Sequence, residues 1–166
     1  MMLKIGGIYV QHAEREITLA TLLCDKKGNL NPEAIGFSRK PIIESNLSGH
    51  FMRKKKWNYW CVYGEDILFS ATISHLDYAA VCFVYFFEYE THRFFEKTVL
   101  IPLGNKIKMP QKVLETIQFS GSDLSLQLTY FEGDTHLTVT SEDFDGERLH
   151  AELTIHHPKD DESLNV

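Results

Sequence analysis

Short apolar segments recur along this chain of 166 residues, and turn sequences separate them. Such segments, with alternating or continuous apolar residues, are typical of β-strands. The breaks are rich in Gly, Asn and Asp, which favour tight turns, so consecutive strands should pair antiparallel. We predict about ten strands and little helix. The strand segments are 17–23, 34–43, 56–63, 68–74, 78–89, 94–101, 113–120, 124–131, 135–140 and 148–156.

Two of these segments carry large apolar side chains on both faces. Side chains alternate along a strand, so Trp57 and Tyr59 point one way while Asn58 and Trp60 point the other. The segment at 78–89 is apolar on both faces as well. In a closed or nearly closed barrel the core covers one face, and another domain, subunit or terminal segment must cover the second.

The C-terminal segments alternate between apolar and polar residues. Leu124, Leu126 and Leu128 share one face, and Ser125 and Gln127 share the other, which indicates strands with one solvated face. We therefore predict an all-β protein, either an antiparallel lipocalin-like (calycin) barrel or a strongly curved sandwich. We expect one β-barrel domain over residues 1–156 and a polar tail or the start of a linker at 157–166.

Composition narrows the possible partners and compartments. A formal net charge of −6 argues against general nucleic-acid binding, and the basic run at 53–56 is expected to be a solvated loop. Cys24, Cys61 and Cys82 are odd in number and lack Cys-x-x-Cys spacing, which favours a reducing compartment. No window approaches the roughly 18 apolar residues of a membrane span, and the N-terminus lacks a signal sequence. We expect a cytoplasmic protein without a membrane span.

Four segments resemble a family of uncharacterised microbial proteins. They are Gly-Phe-Ser-Arg-Lys-Pro at 36–41, Lys-Lys-Trp-Asn-Tyr-Trp at 55–60, the segment 71–78 and the segment 99–104. The family pattern has Trp where this chain has Phe37. That family is distantly similar to carotenoid hydratases, AttH-like proteins and tocopherol cyclase, in which two lipocalin-like barrels pack together. The resemblance implies that this chain corresponds to a first barrel, with a second barrel as a partner and a lipophilic small molecule as ligand.

Aromatic side chains form the predicted ligand site. Aromatic pockets with few polar groups suit hydrophobic molecules such as isoprenoid or fatty-acyl compounds, although a small barrel can also be filled by its own side chains. Arg39 is a candidate for binding an anionic head group, and the alternative is a structural Arg stacked on Trp57 or Trp60. The candidate ligand-binding residues are Arg39, Trp57, Tyr59, Trp60, Phe69, Phe83, Tyr85 and Phe87.

Candidates for acid–base catalysis are His75, Asp77 and Glu88. A carboxyl group held neutral by an apolar wall could protonate a lipophilic alkene, as the resemblance to hydratases and cyclases implies. The alternative is a turn in which Asp77 accepts backbone hydrogen bonds and His75 is exposed. Cys61 and Cys82 are expected to be small core residues. The sequence contains no metal-ligand set and no cofactor motif, so we expect neither a metal nor a cofactor.

Three functions therefore stay open. The chain could bind a hydrophobic small molecule, act as a hydratase- or cyclase-type enzyme, or serve as a non-catalytic interaction module. In the last case the segment 78–89 would pack against a second barrel or another copy of the chain. We expect binding or interaction rather than catalysis.

Overall fold

The computed structural model describes the backbone of residues 2–5 and 8–11, and residues 14–165 in full. Within these ranges the chain forms twelve β-strands, one short 3₁₀ helix at Pro32–Ala34, and no α-helix. The strands are β1 (Met2–Ile5), β2 (Ile8–Gln11), β3 (Thr21–Leu22), β4 (Ile43–Glu44), β5 (Lys56–Tyr63), β6 (Ile67–His75), β7 (Ala79–Glu88), β8 (Phe94–Pro102), β9 (Ile117–Ser120), β10 (Ser125–Phe131), β11 (Asp134–Phe144) and β12 (Glu147–His156).

Two four-stranded antiparallel sheets form the body of the protein. The first sheet has the order β5-β6-β7-β8, and the second has the order β12-β11-β10-β9. Tight turns set the register of the second sheet: Glu132 and Gly133 between β10 and β11, and Asp145 and Gly146 between β11 and β12, all have positive φ. Two successive residues with positive φ are typical of the type I′ turn, whose twist matches that of the flanking strands. Separately, β1 pairs antiparallel with β2, and β3 pairs parallel with β4.

One hydrophobic core joins the two sheets. Small and medium-sized side chains of the first sheet, such as Ala71, Ala80 and Val84, face larger leucines of the second. The aromatic rings of Phe95 on β8 and Phe144 on β11 lie 6.1 Å apart between centroids. The fully buried residues of this core include Ile73, Cys82, Val84, Leu124, Leu126, Leu128, Leu137 and Val139. Because each such side chain stabilises the fold by about 1.5–3 kcal/mol when buried, the core is the main link between the sheets.

The all-β class is confirmed, and the consecutive strands that tight turns join pair antiparallel as predicted. The exception is the parallel pair of β3 and β4, which a long segment separates. No sheet in the described ranges closes into a barrel, since β5, β8, β9 and β12 each pair with a single neighbour. The predictions of strands at 17–23 and 34–43 are wrong for most of those segments, because only Thr21–Leu22 and Ile43–Glu44 form strands there. Gly36 has a φ of +147° where a Cβ would lie 2.2 Å from the Arg15 carbonyl oxygen, and Pro41 lacks the N–H that a strand ladder needs.

The end of the chain returns to the segment that precedes β4. The Asn165 amide donates to the Ser38 carbonyl at 2.9 Å, and the Ser163 amide donates to the Arg39 carbonyl at 3.0 Å. A side-chain ion pair between Arg39 and Glu162, 2.8 Å long, lies beside these bonds. The described part of the polar segment at 157–166 is therefore tied to the domain by backbone pairing.

Candidate functional site

The first sheet separates the predicted ligand-binding aromatics onto two faces. Trp60 and Phe69 point toward the core, where the Trp60 ring lies 5.7 Å from the ring of His157 and its Nε1 donates to Asn58 at 2.7 Å. Trp57 and Tyr59 point away from the core, as their alternation predicts. The residues on β7 that share this outer face are Phe83, Tyr85 and Phe87.

We call the outer face of the first sheet the aromatic face. Cross-strand register places its residues in four rows: Trp57, Ser74, Val81 and Leu100; Tyr59, Thr72, Phe83 and Thr98; Cys61, Ser70, Tyr85 and Glu96; Tyr63, Leu68, Phe87 and Phe94. Tyr63 and Trp57 are 76% and 66% exposed. Glu96 is the one Asp, Glu, Lys or Arg side chain in these rows. Exposed apolar patches of this kind mark interaction sites in soluble proteins.

The centre of the aromatic face is polar. The hydroxyl groups of Tyr59 and Tyr85 hydrogen bond at 2.8 Å, spanning β6. This bond, followed by Cys61, raises the pKa of Tyr59 to about 12. Ser70 and Thr72 are buried between the two tyrosines, and neither hydroxyl lies in hydrogen-bonding geometry with a described residue.

A cleft lies along the free edge of β5, and we call it the β5 cleft. Its volume is about 480 Å³, and its other walls are the segments 45–47 and 109–113. Because the cleft follows a strand edge, side chains from both faces of β5 reach it, including Trp57 and Trp60. The full lining is Leu23, Ser45, Leu47, Lys55, Lys56, Trp57, Asn58, Tyr59, Trp60, Met109, Pro110, Gln111, Lys112 and Val113.

Lys56 holds the walls of the β5 cleft together. Its Nζ donates to the carbonyl oxygens of Ser45 and Pro110, each at 2.8 Å, while the Ser45 amide donates to the Gln111 carbonyl at 2.7 Å. Burial lowers the pKa of the Lys56 ammonium below its ordinary value of 10.5, and the negative charge of Glu115 partly counters this. The prediction of a solvated loop at 53–56 is wrong for Lys56, which begins β5 and is half-buried. A Lys on the inward face of an aromatic strand is an unusual position that could have indicated its role.

Arg39 lies outside the β5 cleft. Its guanidinium pairs with Glu162 at 2.8 Å and with Glu16 at 3.1 Å, and Glu162, followed by Glu16, raises its pKa. One alternative predicted that Arg39 stacks on Trp57 or Trp60. Arg39 makes no such contact in the described part of the chain. These two ion pairs connect the Arg39 segment to two segments that are distant from it in the sequence.

The three candidate acid–base residues do not converge. His75 ends β6, and its Nδ1 accepts a hydrogen bond from the Asp77 amide at 3.1 Å. Asp77 lies in the turn with a φ of +70° and pairs with Lys54 at 3.0 Å. Glu88 is at the other end of β7, about 30 Å away along the strand, where it accepts a hydrogen bond from Thr91.

The environment of Asp77 favours its ionised form. Burial acts to raise the pKa of this carboxyl, but hydrogen bonds from Lys54 and its positive charge outweigh burial and lower the pKa below 3.8. A neutral proton donor, which the enzyme hypothesis requires, needs the opposite shift. The turn interpretation of Asp77 matches its hydrogen bond with a backbone amide, from Lys54 at 3.4 Å. The same interpretation placed His75 in an exposed position, and this part is wrong because His75 is half-buried.

The cysteines occupy different environments. Cys82 is fully buried in the core, as predicted, and burial raises the pKa of its thiol to about 12. Cys61 points to the aromatic face rather than into the core, so its predicted core position is wrong. It shares a row with Ser70 and Tyr85.

The described residues lack both a metal-ligand cluster and a membrane-spanning helix. These residues contain no group of three or more His, Cys, Asp or Glu side chains that could hold a metal ion. No helix among them is both long and apolar enough to cross a membrane.

A family described as a domain of unknown function (DUF2804) matches residues 14–166. No curated protein and no solved structure matches the chain. The predicted similarity to an uncharacterised family is therefore confirmed, while no match links the chain to carotenoid hydratase or tocopherol cyclase.

Proposed function

We propose that this chain, which belongs to the DUF2804 family, binds a hydrophobic small molecule in the β5 cleft. The observation that carries this proposal is the composition of the cleft: Trp57, Trp60, Met109 and Val113 line a volume of about 480 Å³. Small-molecule sites are typically clefts of about 300–1,000 Å³ with apolar and aromatic walls and a few polar groups. The β5 cleft falls within this range.

The ligand site in this proposal is at a sheet edge and not inside a barrel. The space between the two sheets is occupied by side chains such as Leu126, Leu128 and Leu137, which are nearly or fully inaccessible to solvent. We interpret the facing sheets as a strongly curved sandwich with a calycin-like order of strands. A filled interior favours the edge cleft, because an interior ligand would have to displace close-packed core residues.

Intrinsic fluorescence tests the proposal directly. The chain has two tryptophans, and both line the β5 cleft. A lipophilic ligand in the cleft should therefore cause a saturable change in tryptophan emission. Trp57→Ala should weaken binding, whereas Phe94→Ala, on the far edge of the same sheet, should leave it unchanged. A panel of lipophilic probes that produces no saturable change would overturn the proposal.

The alternative of a hydratase- or cyclase-type enzyme has less support. Such an enzyme would need a neutral carboxyl group beside the alkene. Asp77 is paired with Lys54, Glu88 accepts a hydrogen bond from Thr91, and neither residue lines the β5 cleft. We therefore propose that the chain binds its ligand without catalysis. We also propose that it acts in the cytoplasm, on the basis of its free cysteines, and that it does not bind nucleic acid, on the basis of its net charge of −6.

The aromatic face supports a second candidate function, self-association. Four strands of seven residues give a footprint of about 19 Å by about 24 Å, or about 450 Å². Two such faces together bury about 900 Å², which is less than stable interfaces bury and is typical of weak, transient association. The single carboxylate, Glu96, adds little charge repulsion, so we propose that a second copy of this chain covers the face in a weak dimer. A second barrel, which the family resemblance implies, would compete for the same surface.

Sedimentation equilibrium tests the dimer. We expect association at high micromolar concentration that is lost in Leu100→Lys, since Leu100 is 64% exposed on the aromatic face. Gln127→Lys on the solvated face of the second sheet is the matched control and should still associate. A monomer at every concentration would exclude self-association.

A further inference from the structure

We infer that the ligand of the β5 cleft carries a carboxylate group, and that the Lys56 ammonium binds it. This inference rests on the proposed binding function and adds the chemical class of the ligand. The ligand would be an amphipathic carboxylate, with one anionic group and an apolar chain or ring system.

The first support is the hydrogen bonding of Lys56. An ammonium group has three N–H donors. In the described structure two of them go to the carbonyl oxygens of Ser45 and Pro110. No described carboxylate lies within 4 Å of Lys56 Nζ, although the side chain is partly buried. A partly buried cation with a spare donor and no ion pair is suited to an anionic ligand.

The second support is the charge of the cleft lining. Lys55, Lys56 and Lys112 line the cleft, and its described lining contains no Asp or Glu. This local excess of positive charge occurs in a chain whose formal net charge is −6. Lys112 pairs with Glu44 at 3.2 Å outside the lining, which leaves Lys55 and Lys56 as the nearest cations without a described ion pair. Glu115 lies beside the 109–113 wall, where its carboxylate accepts hydrogen bonds from the Gln111 and Lys112 amides, and it offsets part of this positive charge. The three lysines still outnumber Glu44 and Glu115, so the charge around the cleft favours an anion over a cation.

The third support is the order of polar and apolar groups along β5. Asn58 follows Lys56 on the same side of the strand, and its Oδ1 accepts the Trp60 indole N–H at 2.7 Å. That bond orients the Asn58 amide so that its NH₂ group can donate to a second carboxylate oxygen. Trp57 and Trp60 then offer ring surface to the apolar remainder of the ligand.

The test compares ligands that differ only in their head group. Dodecanoate, dodecanol and dodecyltrimethylammonium are titrated at submicellar concentrations, with tryptophan emission and calorimetry as readouts. We expect dodecanoate to bind at least tenfold more tightly than dodecanol, and dodecyltrimethylammonium to bind most weakly. Lys56→Met should abolish the preference for dodecanoate while dodecanol still binds, and Lys26→Met on the exposed surface should keep it.

The outcomes separate this inference from the proposed function. If none of the three ligands binds, the binding function itself is wrong. If dodecanoate and dodecanol bind equally, the cleft binds lipophilic molecules but the carboxylate inference is wrong. A preference that persists in Lys56→Met would also overturn it. Because loss of Lys56 could loosen the 109–113 wall, Lys56→Arg is the second variant: it keeps a cation and should keep the preference.

Discussion

At the residue scale, two buried hydroxyls on the aromatic face provide a sensitive test of the structure. Ser70 and Thr72 are buried without a hydrogen-bond partner among the described residues, and an unsatisfied buried polar group costs about 1–3 kcal/mol. Ser70→Ala should therefore leave the free energy of unfolding unchanged or raise it by about 1 kcal/mol. Urea denaturation measures this difference.

Ser74 is the matched control on the same strand. Its Oγ donates to the Val81 carbonyl at 2.8 Å, so Ser74→Ala should lower the free energy of unfolding by about 1 kcal/mol. If Ser70→Ala were as destabilising as Ser74→Ala, the Ser70 hydroxyl would have a partner in solution.

The ion pair of Asp77 gives a prediction about pH. The pKa of Asp77 is lowered in the folded protein, so its contribution to stability is present above the unfolded pKa of about 3.9 and is lost as the pH falls through the folded value. Asp77→Asn should thus be less stable than the wild type at neutral pH, and the difference should shrink below about pH 4. Unfolding curves measured between pH 2 and pH 7 would show this, and a difference independent of pH would contradict it.

Some residue positions could be predicted from sequence and others could not. The alternation of Trp57, Tyr59 and Trp60 follows from strand geometry, which a local pattern determines. The relative positions of His75 and Asp77 are harder to predict from the sequence, because β6 ends at His75 and the chain turns at Asp77, which has a positive φ. The partners of Lys56 could not be predicted, since they come from segments that are distant in the sequence.

At the scale of elements, one turn from each sheet gives a paired test of backbone conformation. Gly133 has a φ of +94° and Gly64 has no positive φ, while an added Cβ would meet no atom within 4 Å at either site. Because L-residues are disfavoured at positive φ, Gly133→Ala should lower the free energy of unfolding by about 1 kcal/mol. Gly64→Ala should change it by less than about 0.5 kcal/mol.

Thermal or urea unfolding of the two variants decides the outcome. Equal effects at the two glycines would mean that the turn between β10 and β11 does not have the type I′ conformation in solution.

Strands with regular patterns were predictable, and pairings between distant segments were not. The strands β5 to β8 follow the predicted segments closely because apolar residues continue through each of them. The segment 34–43 is also rich in apolar residues, but Gly36 and Pro41 prevent a continuous ladder and only Ile43–Glu44 pairs as β4. For this segment, Gly36 and Pro41 therefore predict the structure better than the number of apolar residues does.

At the scale of the molecule, the closure of the sheets could not be read from the sequence. Periodicity predicts which face of a strand is apolar, but it does not say whether two sheet edges meet. Here the sheets share a core while their edge strands stay separate. The same limit applies to the candidate site, because the β5 cleft exists only where the edge of β5 faces the segment 109–113.

The position of Trp57 and Tyr59 links the two proposed interactions. Both residues belong to the aromatic face and also line the β5 cleft. A dimer that covers the face would bury the same rings that a ligand contacts, so the two events should compete. Saturating dodecanoate should therefore weaken dimerisation, and by linkage dimerisation should weaken ligand binding by the same factor. Sedimentation equilibrium with and without ligand measures the first effect, and fluorescence titration at low and high protein concentration measures the second. A dimer unaffected by saturating ligand would show that Trp57 takes part in only one of the two interactions.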